Sequence, residues 1–289
     1  MFCASIDLSI IALILANLVF MGGGLGLVFS GGLLLEDTER ILTSRLILTS
    51  LTEPLFYYIA LSLMMLGLIL TALSVLGCWA AHLDNYCVLS FYLFSLLLLL
   101  VGESVVGVLA LLCPQYLGLT LDREMLQDNW QRTYGVPGRE QYTAAIDLVQ
   151  TQLQCCGVES GNDFTASWWR LRELAPASLV VPLSCCVQQH PVAFLDPRPV
   201  NTSLCQHEDV EQYRLARSVE GCFNKLSSWL QSHISLGLTA GLALLSLQLL
   251  LLLLTVVSCV KRAQAPAPPP ALPPKLLNKV HNSFPYSGS

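Results

Sequence analysis

Charge is scarce in this sequence, and the scarcity removes whole classes of function. Only 12% of its 289 residues are charged, against 54% hydrophobic, and the mean hydropathy is +0.59. A soluble domain carries roughly a quarter of its residues as charges, so the bilayer is the expected solvent. The net charge of -5 is not gathered into a run. That leaves neither a basic patch for nucleic acid nor an acidic tail. Also missing are a CxxC or HxxxH pair, a Ser/His/Asp or Cys/His constellation and a phosphate-cradling loop. Nothing is assembled for metal, nucleophilic or nucleotide chemistry, and the expectation is a protein that is no enzyme, holds no metal and binds no nucleic acid.

What abounds is apolar sequence. Residues 8–35, 55–81, 88–112 and 234–260 are each long enough to cross ~30 Å of hydrocarbon at about 1.5 Å per residue. They hold one formal charge, Glu103, and no lysine or arginine. The first stretch is too long for a signal-peptide core and has no basic residues before it, so it reads as a span. The remainder divides into residues 1–7, a small outer loop 36–54, a short inner loop 82–87, a large outer loop 113–233 and a Pro-rich tail 261–289.

Within the large loop, apolar spacing predicts helices over 121–134 and 140–154, the second with Ile146, Val149 and Leu153 on one face. They are broken at Gly135-Val136-Pro137-Gly138. A third helix is predicted from Val210 to His233, its stripe of Val219, Phe223, Leu226 and Leu230 leading into the last span. The stretch between Cys156 and Cys205 is expected to be irregular. The expected fold class is an all-α membrane protein: four transmembrane helices with a helical, disulfide-stapled large extracellular loop.

Sidedness follows from two asymmetries. Lys261, Arg262, Lys275 and Lys279 follow the last span, as the positive-inside rule asks of a cytosolic segment. The large loop carries Cys155, Cys156, Cys185, Cys186, Cys205 and Cys222, together with the one sequon, Asn201-Thr202-Ser203. These suit the oxidising, glycosylating side of a membrane. Both termini are therefore expected in the cytosol, with Asn201 glycosylated. Six cysteines admit fifteen sets of three bridges, and neighbouring cysteines must reach different partners. Zinc, with His190 and His207 as further ligands, is the weaker alternative because no local ligand spacing supports it.

Cys3, Cys78, Cys87 and Cys259 lie near the expected cytosolic face. They are candidates for S-palmitoylation, the alternative for each being a small buried hydrophobe. Cys113, at the outer end of the third span, is expected unpaired. In the tail, Pro270-Ala271-Leu272-Pro273-Pro274-Lys275 fits a PxxPxK ligand for an SH3 domain, although a solvated spacer is the favoured reading.

Polar groups inside spans are costly and so call for partners. Counted from the inner ends, Asn17, Gln248 and Glu103 lie at about 13, 18 and 22 Å. That ladder would let Glu103 donate to Gln248, and Gln248 bridge to Asn17, as glue between helices. Gly22 and Gly26 form a small-xxx-small pair expected to pack on a neighbouring span.

Three motifs in the second outer loop of a four-span chain, Cys155-Cys156-Gly157, Pro182-Leu183-Ser184-Cys185-Cys186 and Glu220-Gly221-Cys222, resemble those of the tetraspanins. Asn17, Gly77-Cys78, Asp84-Asn85-Tyr86-Cys87, Glu103, Asn162-Asp163-Phe164 and Trp168 agree with that family's pattern. Asp7, where a basic and aromatic start is usual, and Gln248, where the fourth span usually has an acid, depart from it. The resemblance implies bridges Cys155–Cys222, Cys156–Cys185 and Cys186–Cys205, covalent palmitate, and a cavity lined by Asn17, Glu103 and Gln248 that takes the hydroxyl of cholesterol. It also implies a scaffold of the plasma membrane or endosomes, affecting adhesion, trafficking or signalling. Its partners would be receptors, adhesion molecules and other tetraspanins, bound through residues 157–205. Trp168, Trp169, Val180, Val181 and Phe194 are the candidates for the contact surface or the core beneath it, with Trp168 expected in the core. The competing reading is a sterol- or lipid-binding protein whose cavity gates the outer domain. A channel or transporter is disfavoured because no further charges occur in the spans.

Overall fold

The structure, a computed structural model, describes residues 2–48, 51–83, 86–189 and 194–264, with side chains from residue 8 onward. The described residues are helical, with isolated bridges at Cys186–Arg217 and Gln188–Pro199 in place of any strand. Four helices are long and apolar enough to cross a membrane: α1 (Phe2–Glu36), α3 (Leu55–His82), α4 (Tyr86–Leu112) and α10 (Cys222–Gln264). In hydrocarbon only a helix can satisfy every backbone group within one segment, and none of the four contains proline. Exposed Tyr58 and Trp79 mark the two ends of α3. They are about 21 residues and so roughly 32 Å apart, the spacing of the aromatic belts at two bilayer interfaces.

Glycines set how the spans pack. A methyl on Gly24 would lie 2.9 Å from the Gly67 carbonyl oxygen, and one on Gly31 would lie 2.8 Å from that of Ala60. Helix α1 therefore meets α3 backbone to backbone. Gly22 and Gly26, the pair expected to make this contact, face open space. Two residues along a 3.6-residue helix is more than half a turn, which puts them almost opposite Gly24.

The packed part of the bundle surrounds Leu13, Phe20, Leu70, Leu89, Tyr92, Leu96 and Leu251. Beyond it, toward the large loop, Val101, Val105, Val108 and Leu109 of α4 and Leu236, Leu238 and Leu242 of α10 are exposed. A methyl on Gly102, Gly107, Gly237 or Gly241 would meet nothing within 4 Å. The bundle is thus closed at the end bearing the 82–87 connection and open at the other. At the closed end Arg262 donates to the carbonyl oxygens of Ala80, Ala81 and Leu83 at 3.3, 2.8 and 2.6 Å. It supplies the donors that the last turn of α3 lacks.

The loop domain is built on α5 (Arg123–Thr133), α6 (Glu140–Leu153) and the first turns of α10. Asp122 caps α5 by accepting from the amides of Glu124 and Met125. Leu126, Trp130, Ile146, Val149 and Leu226 form the core between the three. The short loop contributes α2 (Thr38–Thr43), which lies against α6. Arg45 donates to Gln141 Oε1 at 2.6 Å, and Gln152 Nε2 donates to Glu39. Ser44 Oγ accepts from the Phe56 amide at 3.0 Å, capping α3 from the short loop.

The helix expected from Val210 to His233 is interrupted. A single turn, α9 (Val210–Tyr213), is followed by non-helical chain, and α10 begins at Cys222. Buried Arg217 turns inward, donates to the carbonyls of Cys205 and His207, and lies 3.9 Å from the centre of the Tyr213 ring. Gly221 packs on the backbone of Val158 and Glu159, where no side chain would fit. These contacts outweigh local propensity, and Val219 is left exposed rather than in a stripe.

Candidate functional site

The head of the loop domain is irregular, and three bridges fix it. Cys155 is bonded to Cys222, Cys156 to Cys185 and Cys186 to Cys205, with Cα separations of 5.0, 4.9 and 5.7 Å. All six cysteines are buried. After Cys156 the chain reverses at Gly157, whose φ of 68° and contact with the Ser160 carbonyl exclude a side chain. Asp163 closes this turn by accepting from the amides of Val158 and Glu159 at 2.7 and 2.8 Å. With Ser160 it forms a capping box, legible in the sequence as Ser-x-x-Asp. Gln206, which sequence reasoning passed over, accepts from the amides of Val180 and Val181 and donates to the Val181 carbonyl.

Of the adjacent pair, Trp169 and not Trp168 is the one in the core. It packs edge-on against Tyr134 and Phe164 at 5.6 and 5.9 Å between ring centres. Trp168 opens α7 (Trp168–Leu171), is half-buried, and carries the Arg172 guanidinium 3.8 Å from the centre of its ring. Val181 is buried, Val180 lies against the core and Phe194 is half-buried. The apolar side chains offered to solvent are others. The Val187 amide donates to Ala216 and its carbonyl accepts from Val200, both at 2.9 Å, laying three chain segments side by side. Val187 and Val200 are exposed there, as are Leu195 and Leu215 of the same segments and Leu171 on α7. Single apolar residues in polar stretches give no periodicity, so this surface was not legible.

Between the helices and the head lies a half-buried carboxylate. Asp147 Oδ1 accepts from the Tyr134 hydroxyl at 2.8 Å and from Ser184 Oγ at 2.6 Å, and Ser184 Oγ also lies 2.7 Å from Gln150 Oε1. Burial pushes the Asp147 carboxyl up to about 6, against the opposing pull of its two hydroxyl donors. A cleft of about 460 Å³ lies where α10 begins, lined by Arg123, Glu159, Glu220, Phe223 and Lys225 among others. Its charges are paired as Arg123–Glu159 at 2.9 Å and Lys225–Glu220 at 3.1 Å.

The polar groups of the bundle are not joined in a ladder. Buried Asn17 donates to the Leu13 carbonyl at 2.9 Å and accepts from the Tyr92 hydroxyl at 2.7 Å. Gly77 leaves the space that Asn17 and Tyr92 fill. Gln248 Nε2 donates to the Leu96 carbonyl at 3.1 Å, while Gln248 Oε1 and Glu103 Oε2 are buried without partners. Glu103 is about two turns, roughly 10 Å, beyond Leu96, out of reach of Gln248. The missed residue is Tyr92, because a tyrosine in an apolar run reads as an interfacial aromatic.

Of the cysteines expected near the cytosolic face, Cys87 is exposed, Cys78 half-buried and Cys259 buried. Half-buried Cys113 is outside the disulfides. Asn201 is exposed and caps α8 (Thr202–Cys205), accepting from the Leu204 amide at 3.0 Å. The Cys3 side chain, Asp84, Asn85, His190 and the motif from Pro270 to Lys275 lie outside the described residues. Among the described residues no group of three His, Cys, Asp or Glu side chains is placed to hold a metal ion.

The family model described as the Tetraspanin family matches residues 10–261. CD151 antigen of Chlorocebus aethiops is 37% identical over 125 residues, covering 43% of this chain and 48% of that protein. CD151 antigen of Rattus norvegicus is 30% identical over 172 residues, covering 60% of this chain and 62% of that protein. Leukocyte surface antigen CD53 of Mus musculus is 27% identical over 171 residues, covering 59% and 58%. The chain thus spans between about half and three-fifths of these relatives.

Proposed function

The chain belongs to the tetraspanin family, and from that premise we propose that this multi-pass membrane protein is a non-enzymatic scaffold whose head binds partner membrane proteins laterally and gathers them into microdomains. The observation that carries the reading is the head itself. Three buried bridges and the Gln206 clamp hold an irregular segment in one shape, with exposed Val187, Leu195, Val200 and Leu215 on it. A rigid surface with apolar anchors loses little conformational entropy on binding. The partners are receptors, adhesion molecules or other tetraspanins of the plasma or endosomal membrane, and binding them affects adhesion, trafficking or signalling. The head faces outward with a glycan on Asn201, and both termini and the acylated cysteines face the cytosol.

Proximity labelling tests this. Partners captured by the intact protein should be lost when residues 157–205 are exchanged, and Val187→Asp with Val200→Asp should lose the same set. An unchanged set in both variants removes the head from the role. Protease protection or sugar mapping that finds Asn201 facing the cytosol would overturn the proposed sidedness.

A second reading is favoured by one observation. Glu103 Oε2 is buried without a partner beside the open part of the bundle, where α4 and α10 expose their apolar residues. A protonated carboxyl there suits the hydroxyl of a sterol, whose rings would cover the exposed leucines and valines. Glu103→Leu should then cut labelling by a photoactivatable cholesterol at least about fivefold while partner capture persists. Unchanged labelling rejects the cavity.

A further inference from the structure

With Gln150 Oε1 toward Ser184 and Gln150 Nε2 buried without a partner, the cluster that joins the head to the helices is one proton short. Three contacts of hydrogen-bond length converge on it: Tyr134 Oη to Asp147 Oδ1 at 2.8 Å, Ser184 Oγ to the same oxygen at 2.6 Å, and Ser184 Oγ to Gln150 Oε1 at 2.7 Å. With the carboxylate ionised, only the two hydroxyls can donate, one proton each. If Ser184 donates to Asp147, its lone pairs face Gln150 Oε1 as acceptor against acceptor. One added proton resolves this: Asp147 donates to Ser184, Ser184 donates to Gln150, and Tyr134 continues to donate to Asp147.

The groups facing Asp147 are Tyr134 from the end of α5, Ser184 from the 183–185 turn and Gln150 one turn on in α6. Tyr134 is the one other titratable member, and its own hydroxyl is held well above its usual range by burial. No salt bridge to Asp147 occurs among the described residues, and its two neutral hydroxyl donors only partly offset the loss of water around the carboxylate. The position matters because Ser184 precedes Cys185 and Cys186, which bond to Cys156 and Cys205. Asp147 thereby ties the long helices to the turn from which two of the three bridges start.

We infer that Asp147 is a proton-linked fastener, so that the stapled head seats more firmly on the helices in an acidified compartment than at neutral pH. The ordinary carboxyl of an unfolded chain titrates near 4 and that of folded Asp147 at about 6. The folded state therefore binds the proton first, and stability rises as pH falls from 7 toward 4, the reverse of a salt-bridged aspartate. That the head meets acid at all rests on the sidedness proposed above; the titration itself does not.

The test uses the full chain in lipid nanodiscs. Hydrogen exchange of the amides of residues 183–186, corrected for intrinsic rates, should slow about tenfold between pH 7.5 and 5. Asp147→Asn should abolish that difference. Gln150→Leu, which removes the third contact and guards against a misfolded Asp147 variant, should shrink it. The carboxyl carbon resonance of Asp147 should report protonation over the same pH range. Half-turn rotation of the Gln150 amide, which would supply the third proton from Nε2, predicts an Asp147 that remains ionised at pH 5. That outcome, or an equal pH response in Asp147→Asn, overturns the inference.

Discussion

At the scale of single residues, a side chain's role was legible where its chemistry was out of place, and its partner seldom was. Asn17 stands out in an apolar run, yet Tyr92, 75 positions away, receives no such mark. Only the fold shows that Gly77 makes room for both. Tyr92→Phe keeps the ring and leaves Asn17 Oδ1 without its donor, an expected loss of about 1 kcal/mol in bundle stability, read from unfolding in mixed micelles. An equal loss in Asn17→Leu and in the double variant would show the two acting as one pair. The proposed acylation sites can be ranked by the same logic. Cys87 is exposed and Cys259 is buried beside the α3 end that Arg262 clasps. Alkynyl-palmitate incorporation should therefore fall most in Cys87→Ser and least in Cys259→Ser. The reverse order would mean that the end of α10 opens in cells.

At the scale of elements, periodicity served well wherever a helix buries one face. Residues 123–133 and 140–153 are the helices expected over 121–134 and 140–154 because Leu126, Trp130, Ile146 and Val149 must share a core. It failed from 210 to 221, where Arg217 and Gly221 serve contacts with distant chain that no local pattern encodes. Among the spans it failed differently. Every face of a membrane helix is apolar, so hydropathy cannot tell Gly22 from Gly24. The structure separates them. Gly67→Leu would force a side chain into the Gly24 backbone and should cost about 1–3 kcal/mol, whereas Gly22→Leu points into open space and should be silent. Thermal unfolding of the two variants in the same detergent distinguishes them, and equal destabilisation would contradict the α1–α3 contact described.

At the scale of the molecule, two rigid parts meet across a loosely packed middle. The bundle is closed at one end, the head is bridged at the other, and between them α4 and α10 run with little around them. The bridges carry unequal weight in that arrangement. Cys155–Cys222 closes a separation of 67 residues and pins the first turn of α10 to the end of α6, while Cys186–Cys205 spans 19 residues within the head. Loop-closure entropy assigns them about 4 and about 3 kcal/mol, a modest difference. Position separates them further. Losing Cys186–Cys205 as a serine pair should loosen the segment around Val187 and Val200 and leave α5, α6 and α10 protected from hydrogen exchange. Losing Cys155–Cys222 frees the top of α10, which also carries Leu226 and Leu230 into the contact with the short loop. Exchange should then rise along α10 from Cys222 to about Ile234 and in α2, though neither lies in the head. Protection lost only inside residues 157–205 in both variants would mean that the two parts are held together by the short loop alone.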